Sequence, residues 1–211
     1  VVGGWGIDGD AVISGGVAVF LGPITTDLGV ASADALHRGE GNGDEAGFAV
    51  DVRDADGDGT LDLLVGAPGN DDAATDAGAA YLVLGPLNVS SRLATASLVM
   101  RGEAADDAFG TAVALADLVS SGLAAVVIGA PGSDAGGAGS GAVYRFNNVP
   151  TGVLGAADAD ADYVGGAASA RLGECVVNVG DVDGDGNADV AVSATGYVNS
   201  AGELTGAVYG L

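Results

Sequence analysis

One segment of this chain reads Asp54-Ala55-Asp56-Gly57-Asp58-Gly59-Thr60-Leu61-Asp62 and runs directly into Leu63-Leu64-Val65 and then Gly66-Ala67-Pro68. Its carboxylates stand at alternate positions of a nine-residue loop, where they repel one another. The same arrangement returns at 181–189, again just before an apolar strand. Like charges held this close need a counter-ion, and a hard cation supplies it most economically.

The sequence repeats with a period of about 63 residues. Four similar segments mark the period, namely Val2-Gly3-Gly4-Trp5, Val65-Gly66-Ala67-Pro68, Ile128-Gly129-Ala130-Pro131 and Val192-Ser193-Ala194-Thr195. Each is followed by a loop rich in Gly and Asp and then by a second apolar strand. Two further strands complete the unit, so it holds four short strands, A to D, and lacks helical periodicity. Such units predict the blades of a β-propeller or a related stacked-sheet array.

The predicted fold is therefore all-β, a β-propeller-like array of four-stranded antiparallel blades with incomplete blades at both ends. Residues 1–46 are predicted to hold strands B, C and D of a partial blade, and 172–211 strands A, B and C of another. A blade with a metal loop occupies 47–108, and a blade with a degenerate loop occupies 109–171. We expect a part of a larger propeller, or a unit whose sheets are completed between chains, since an isolated fragment would expose sheet edges.

Composition narrows the classes of partner. The chain carries 29 acidic residues against six arginines and no lysine, which gives a formal charge of -23. Such a surface repels phosphate backbones and anionic lipid, so nucleic-acid partners are not expected. No apolar run is long enough to span a bilayer, so membrane insertion is not expected either. The single cysteine, Cys175, excludes an internal disulfide and is predicted to pack as a small hydrophobe.

Two calcium sites are predicted, because Ca²⁺ takes about six to eight oxygen ligands from carboxylates and backbone carbonyls. Gly57 and Gly59 allow the positive φ angles that a tight turn needs. The absence of nearby Cys and His disfavours zinc. An acidic hairpin turn without an ion is the alternative. The first site would use the side chains of Asp54, Asp56, Asp58 and Asp62 with the carbonyl of Thr60, and the second those of Asp181, Asp183, Asp185 and Asp189 with the carbonyl of Asn187.

The middle repeat provides an internal comparison. At the positions of the four carboxylates and the carbonyl donor it has Asp117, Val119, Ser121, Leu123 and Ala125. Only Asp117 keeps a carboxylate. We expect this loop to turn the same corner without a metal ion, held by strand packing alone.

These residues resemble a known family. Phe109-Gly110 followed by Gly129-Ala130-Pro131 is similar to the FG-GAP repeat of integrin α-subunit propellers, and 47–68 holds Gly47-Phe48, the acidic loop and Gly66-Ala67-Pro68 in the same frame. The last repeat departs from it with Leu172-Gly173 and Ser193-Ala194-Thr195. The resemblance implies a seven-bladed propeller with Ca²⁺ in hairpin loops on one face. It also implies an extracellular or cell-surface setting and the binding of proteins or glycans by loops.

The sequence thus predicts a calcium-binding extracellular propeller segment that serves as a binding or adhesion module for a protein or glycan. It is not predicted to be an enzyme, because its carboxylates sit in repeated turns and His37, the only histidine, takes a strand position. One alternative is a structural subunit of a surface layer or fibre that self-associates through open blade edges. Another is a non-catalytic propeller attached to an enzyme in the full-length protein.

Overall fold

A computed structural model describes residues 1–4, 14–24 and 29–211 of the chain. Trp5, which ends the first of the four repeated segments, lies outside these residues. Within the described ranges, three one-turn 3-10 helices accompany the strands, namely Val30–Ser32, Leu93–Thr95 and Ala156–Asp158. The described strands are β1 (Val2–Gly4), β2 (Gly16–Val19), β3 (Ala35–Arg38), β4 (Ala49–Arg53), β5 (Asp62–Ala67), β6 (Ala79–Val83), β7 (Ser91–Arg92), β8 (Leu98–Arg101), β9 (Ala112–Ala116), β10 (Ala125–Ala130), β11 (Ala142–Phe146), β12 (Gly152–Gly155), β13 (Ala161–Val164), β14 (Leu172–Gly180), β15 (Asp189–Ala194) and β16 (Ala207–Gly210).

The strands of the described residues form four sheets, which confirms the all-β, blade-like prediction. The sheet orders are β1-β2-β3-β7, then β4-β5-β6-β8-β12, then β9-β10-β11-β13, and finally β14-β15-β16. Strands A to D of each repeat pair antiparallel with their neighbours in sequence order. Antiparallel neighbours need no crossover connection, so successive strands can pair in a meander.

The first two sheets hold one strand more than the sequence predicted. β7 pairs in parallel with the outer edge of β3, and β12 pairs in parallel with the outer edge of β8. Both added strands come from the C–D connection of the following repeat, so each crosses to the neighbouring sheet. The sequence pattern did not reveal these two parallel strands, because a run of two to four extended residues in a loop shows no apolar alternation.

The sheets pack face to face, with an apolar core between each neighbouring pair. β5 is buried along its whole length, and its side chains alternate between two cores. Leu63 and Val65 face the first sheet, whereas Leu64 faces the third. A strand covered on both faces reads as a continuous apolar run, which explains Leu63-Leu64-Val65 and the matching run in β10.

The two glycine motifs interlock at each packed pair of sheets. The amide of Gly110 donates to the carbonyl of Gly129 at 3.0 Å within the third sheet, and Gly47 does the same to Gly66 in the second. Gly110 has a φ of +93°, which favours glycine. A Cβ on Gly66 would lie 2.0 Å from the carbonyl oxygen of Gly110 in the next sheet. The repeated motif therefore exists because two backbones approach each other with no room for a side chain.

The phenylalanine of the motif needs one correction in the first full repeat. Ala46, Phe109 and Leu172 form equivalent parallel bridges to Gly15, Gly78 and Gly141, and all three are buried. Ala46 therefore takes the phenylalanine position, whereas Phe48, which the sequence grouped with the motif, is 51% exposed. The motif position thus precedes Gly47, whereas the aromatic residue of this repeat follows it.

Polar side chains tie the innermost strands of three sheets together. The amide of Leu115 in β9 donates to Oδ2 of Asp51 in β4 at 2.7 Å. The side-chain amide of Asn178 in β14 donates to the carbonyl of Leu115 at 2.9 Å. Leu115 thus uses both backbone groups that its own hairpin leaves free, and neighbouring sheets are fixed to each other at their inner edges.

Cys175 contradicts its sequence prediction, because it is exposed on β14. The strand alternates, and Val176 rather than Cys175 takes the buried position beside the third sheet. No helix among the described residues has the length and apolar character to cross a bilayer.

His37 is buried in β3, and its Nδ1 atom lies 2.8 Å from the hydroxyl oxygen of Ser91 in the added strand β7. Burial lowers the pKa of His37 below its ordinary value of 6.5, against a smaller opposing contribution from the backbone of Leu87. The strand position predicted for this histidine is confirmed. Its ring joins the first sheet to the segment that crosses from the second.

We expect acidification to weaken the protein through His37. A lowered pKa in the folded state means that the unfolded chain binds the proton first, so stability is complete above about pH 6.5 and falls as the pH drops below it. Urea unfolding at about pH 7.5 and about pH 5.5 measures the loss. His37→Met is the matched variant, because Met100 occupies the equivalent position. An equal loss in both proteins would contradict the assignment.

Candidate metal centres and the opposite face

The first metal loop, residues 54–62, is organised by its own carboxylates. Both oxygens of Asp54 accept backbone amides, from Gly57 at 2.8 Å and Gly59 at 3.0 Å. Oδ1 of Asp58 accepts the amide of Thr60 at 2.7 Å and its hydroxyl at 2.6 Å. These bonds from Thr60 lower the pKa of Asp58, so the carboxylate stays ionised. Gly57 and Gly59 adopt positive φ angles, as the sequence predicted.

The second metal loop, residues 181–189, has the same hydrogen bonds. Asp181 accepts the amides of Gly184 at 2.7 Å and Gly186 at 3.0 Å. Asp185 accepts the amide of Asn187 at 2.7 Å, as Asp58 accepts that of Thr60. Two copies of one geometry, separated by a whole repeat, indicate that the pattern of residues determines the shape of the loop.

The structure brings together some of the predicted ligands. Carboxylate oxygens of Asp54, Asp56 and Asp58 lie within 4.8 Å of one another in the first loop. In the second loop the close group is Asp181, Asp183 and Asp189. Asp62 and Asp185 lie outside these two groups, and the carbonyls of Thr60 and Asn187 stay predicted ligands. All of these donors are oxygen atoms, which fits Ca²⁺ better than a transition metal.

Asp62 already has a structural task that the sequence did not reveal. Its side chain is fully buried. Oδ2 accepts the amide of Ala55 at 2.7 Å, and Oδ1 accepts the amide of Gly85 at 2.8 Å. Asp189 repeats the first of these bonds with the amide of Val182 at 2.8 Å. The last aspartate of each loop therefore closes the hairpin, and in the first loop it also holds the end of strand C.

We expect Asp62→Ala to destabilise the protein even when a chelator keeps calcium away. The change leaves the amides of Ala55 and Gly85 without their acceptor, at a cost of about 1–3 kcal/mol. Asp58→Ala is the comparison, because Asp58 is exposed and its loss should matter little in chelator. Urea unfolding in EDTA measures both. Equal stabilities for the two variants would show that Asp62 acts only as a metal ligand.

The middle loop, residues 117–125, keeps the corner with one aspartate. Asp117 accepts the amides of Ser121 and Gly122, each at 2.9 Å, as Asp54 accepts those of Gly57 and Gly59. Desolvation opposes ionisation, but the amides of Gly122, Ser121 and Val119 together with the charge of Arg53 outweigh it, so the pKa of Asp117 lies below its ordinary value. The position that organises the backbone is retained, whereas the other three carboxylate positions hold Val119, Ser121 and Ala125.

The three loops lie on one face and are joined in series. The amide of Ala124 in the middle loop donates to the carbonyl of Ala55 at 2.8 Å. The amide of Ala188 in the second metal loop donates to the carbonyl of Asp117 at 2.9 Å, and the hydroxyl of Ser120 bonds the carbonyl of Gly186. A cation that orders one metal loop would therefore also restrain its neighbour.

A cleft of about 370 Å³ opens at the other ends of strands A and B. Phe48, Pro68 and Pro131 give it apolar walls. Arg171 and Glu174 form an ion pair at 2.6 Å on its lining, and the hydrogen bond from Arg171 lowers the pKa of Glu174. Its other acidic lining residues are Glu45, Asp76 and Asp106. The cleft offers an aromatic surface beside carboxylates, which suits a ligand with hydroxyl or cationic groups.

Comparison with known proteins agrees with the fold and the loops. The FG-GAP repeat matches residues 46–83, which hold β4, the first metal loop, β5 and β6. The chain therefore carries an FG-GAP repeat in this part of its sequence. It is similar to Integrin alpha-4 of Xenopus laevis, with 36% identity over 102 residues, or 48% of this chain. The matched region is 9% of the length of that relative, so the chain corresponds to a small part of it.

Proposed function

We propose that this segment is a calcium-binding adhesion module exposed outside the cell or at its surface. The observation that carries the proposal is the repeated loop, in which three carboxylates converge within 4.8 Å in two separate copies. The similarity to an integrin alpha subunit supports an extracellular setting and a non-catalytic binding role. Calcium would hold the corners of two blades and so stiffen the scaffold that presents the opposite face.

The ligand of this module is a protein or a glycan, bound at the cleft around Phe48. An exposed aromatic residue that shares a cleft with two prolines is costly to keep in water, and such residues often anchor a partner. The acidic rim and the charge of -23 would exclude polyanions and favour neutral sugars or basic segments. Because the cleft lies at the opposite ends of the strands from the metal loops, calcium would act on binding through the scaffold.

A bead-adhesion assay tests this proposal. Beads that carry the chain are passed over a panel of immobilised extracellular proteins and polysaccharides, with Ca²⁺ or with EGTA. We expect retention on at least one surface with Ca²⁺, and its loss with EGTA or with Phe48→Ser. Val119→Ser is the matched control, because Val119 is exposed in the middle loop at the other end of the strands. No retention on any surface, or retention that neither EGTA nor Phe48→Ser reduces, would overturn the proposal.

A further inference from the structure

We use the word joint for the packed contact between two neighbouring sheets. The C–D connections of the second and third repeats each complete one joint in the same way. Each adds a strand in parallel to the preceding sheet, β7 to β3 and β12 to β8. A one-turn 3-10 helix follows directly, and its first residue is Leu93 in one case and Ala156 in the other. These two residues are 0% and 2% exposed. The connection therefore contributes both backbone pairing and a buried side chain.

The buried side chains enter the cores between the sheets. Leu93 belongs to one of these cores. The same core contains Val17 and Ala35 from the first sheet and Val65 and Tyr81 from the second. Ala156 and the partly buried Leu154 join the core of Ala80, Met100, Ile128 and Tyr144. In the register of the strands, Ala80 pairs with Met100 and Ile128 with Tyr144. Each connection thus closes the outer part of a core that the sheets alone leave open.

The third joint, between the third and fourth sheets, is lined by the equivalent strand pairs. Among the described residues, no C–D connection completes it. Val143 pairs with Tyr163 and Val192 with Tyr209, at the positions of the two pairs just named. Here these side chains line an apolar cavity of about 400 Å³. Beside it, β13 pairs with β11 on one edge and with no strand of the described residues on the other. Val164, at the end of β13, is 39% exposed and also lines the cavity.

We propose that the β13 edge and this cavity form a receptor for an extended segment of a partner polypeptide. The segment adds in parallel to β13 and places one aliphatic side chain in the cavity, as Leu93 is placed in the first joint. Two features of the joint select polypeptide over a small apolar ligand. Unpaired backbone groups along β13 need hydrogen-bond partners at strand spacing, and the adjoining cavity needs an apolar side chain. The two filled joints show the pattern that satisfies both, a short extended run followed by an aliphatic residue.

A peptide from the chain itself serves as the probe. Residues 87–97 contain the added strand β7 and Leu93, and they carry one arginine toward an acidic protein. The 211-residue chain is titrated with this peptide and followed by NMR and by hydrogen exchange. We expect saturable binding with a Kd on the order of 10⁻⁴ M, slower exchange at residues of 161–164, and a loss of affinity of about tenfold or more for the peptide with Leu93→Asp.

Variants of the protein locate the site. Val164→Asp should weaken binding by about tenfold or more, because it brings charge to the cavity rim, whereas the exposed Val119→Asp should leave the affinity unchanged. Circular dichroism and the unperturbed NMR signals of the other sheets establish that both variants fold. The proposal is overturned if the peptide does not bind, if Leu93→Asp or Val164→Asp binds equally well, or if sedimentation shows that a second copy of the chain already covers β13.

Discussion

Gly129→Ala is expected to lower the free energy of unfolding by about 3 kcal/mol, the upper part of the range for overpacked sites. A Cβ at Gly129 would lie 2.0 Å from the carbonyl oxygen of Gly173 and 2.9 Å from its carbonyl carbon, both in the next sheet. Backbone atoms cannot turn aside as a long side chain can. The third and fourth sheets would have to separate, which would also open the core around Val127 and Val192.

Gly166→Ala is the control for this prediction. No atom lies within 4 Å of the position that its Cβ would take, so the change should stay within about 0.5 kcal/mol of the parent. Urea unfolding followed by circular dichroism, at one fixed Ca²⁺ concentration, measures both variants. If the two alanines had the same effect, the close approach of the sheets at Gly129 would be wrong. Gly66→Ala should repeat the result, because Gly110 stands in the same relation to it.

Much of this fold could be predicted from the sequence because the repeat is strict. The period of about 63 residues, the glycine motifs and the apolar runs identified the strands of each blade. The parallel strands β7 and β12 could not be found in this way. Ser91-Arg92 has no apolar alternation, and its pairing with β3 is a contact between residues more than 50 positions apart. Local pattern carries no information about a partner at that distance.

The sites divide in a similar way. Alternating aspartates and glycines predicted where the loops turn, and the structure has the expected positive φ angles at Gly57 and Gly59. The buried role of Asp62 was not visible, because it depends on the amide of Gly85, which belongs to another strand end. Phe48 shows the reverse problem. Its residue type matched the phenylalanine of the family motif, but the buried residue at the motif position is Ala46. Contacts with residues distant in the sequence determine both the role of Asp62 and the motif position taken by Ala46.

Calcium is expected to stabilise the chain strongly and to bind at two sites. Carboxylate oxygens of three aspartates in each loop lie within 4.8 Å of one another, so their repulsion is a cost that a divalent cation removes. Extracellular sites of this kind have a Kd on the order of 10⁻⁴–10⁻³ M. Ca²⁺ at about 10 mM would then contribute about 3–5.5 kcal/mol from two sites together. The Tm should rise by about 10 °C relative to EGTA for a chain of this size.

Single substitutions separate the two contributions and test the middle loop. Asp58→Asn and Asp183→Asn should each remove about half of the calcium-dependent rise in Tm, and the double variant should remove nearly all of it. Asp117→Asn should lower the Tm equally with Ca²⁺ and with EGTA, because Asp117 holds backbone amides rather than an ion.

Calorimetric titration should saturate at about two ions per chain. Three ions, one of them lost in Asp117→Asn, would contradict the assignment of the middle loop. An unchanged Tm in excess EGTA would show that calcium does not stabilise this fold. The loops would then be acidic turns closed by Asp54, Asp62 and the backbone amides that donate to them.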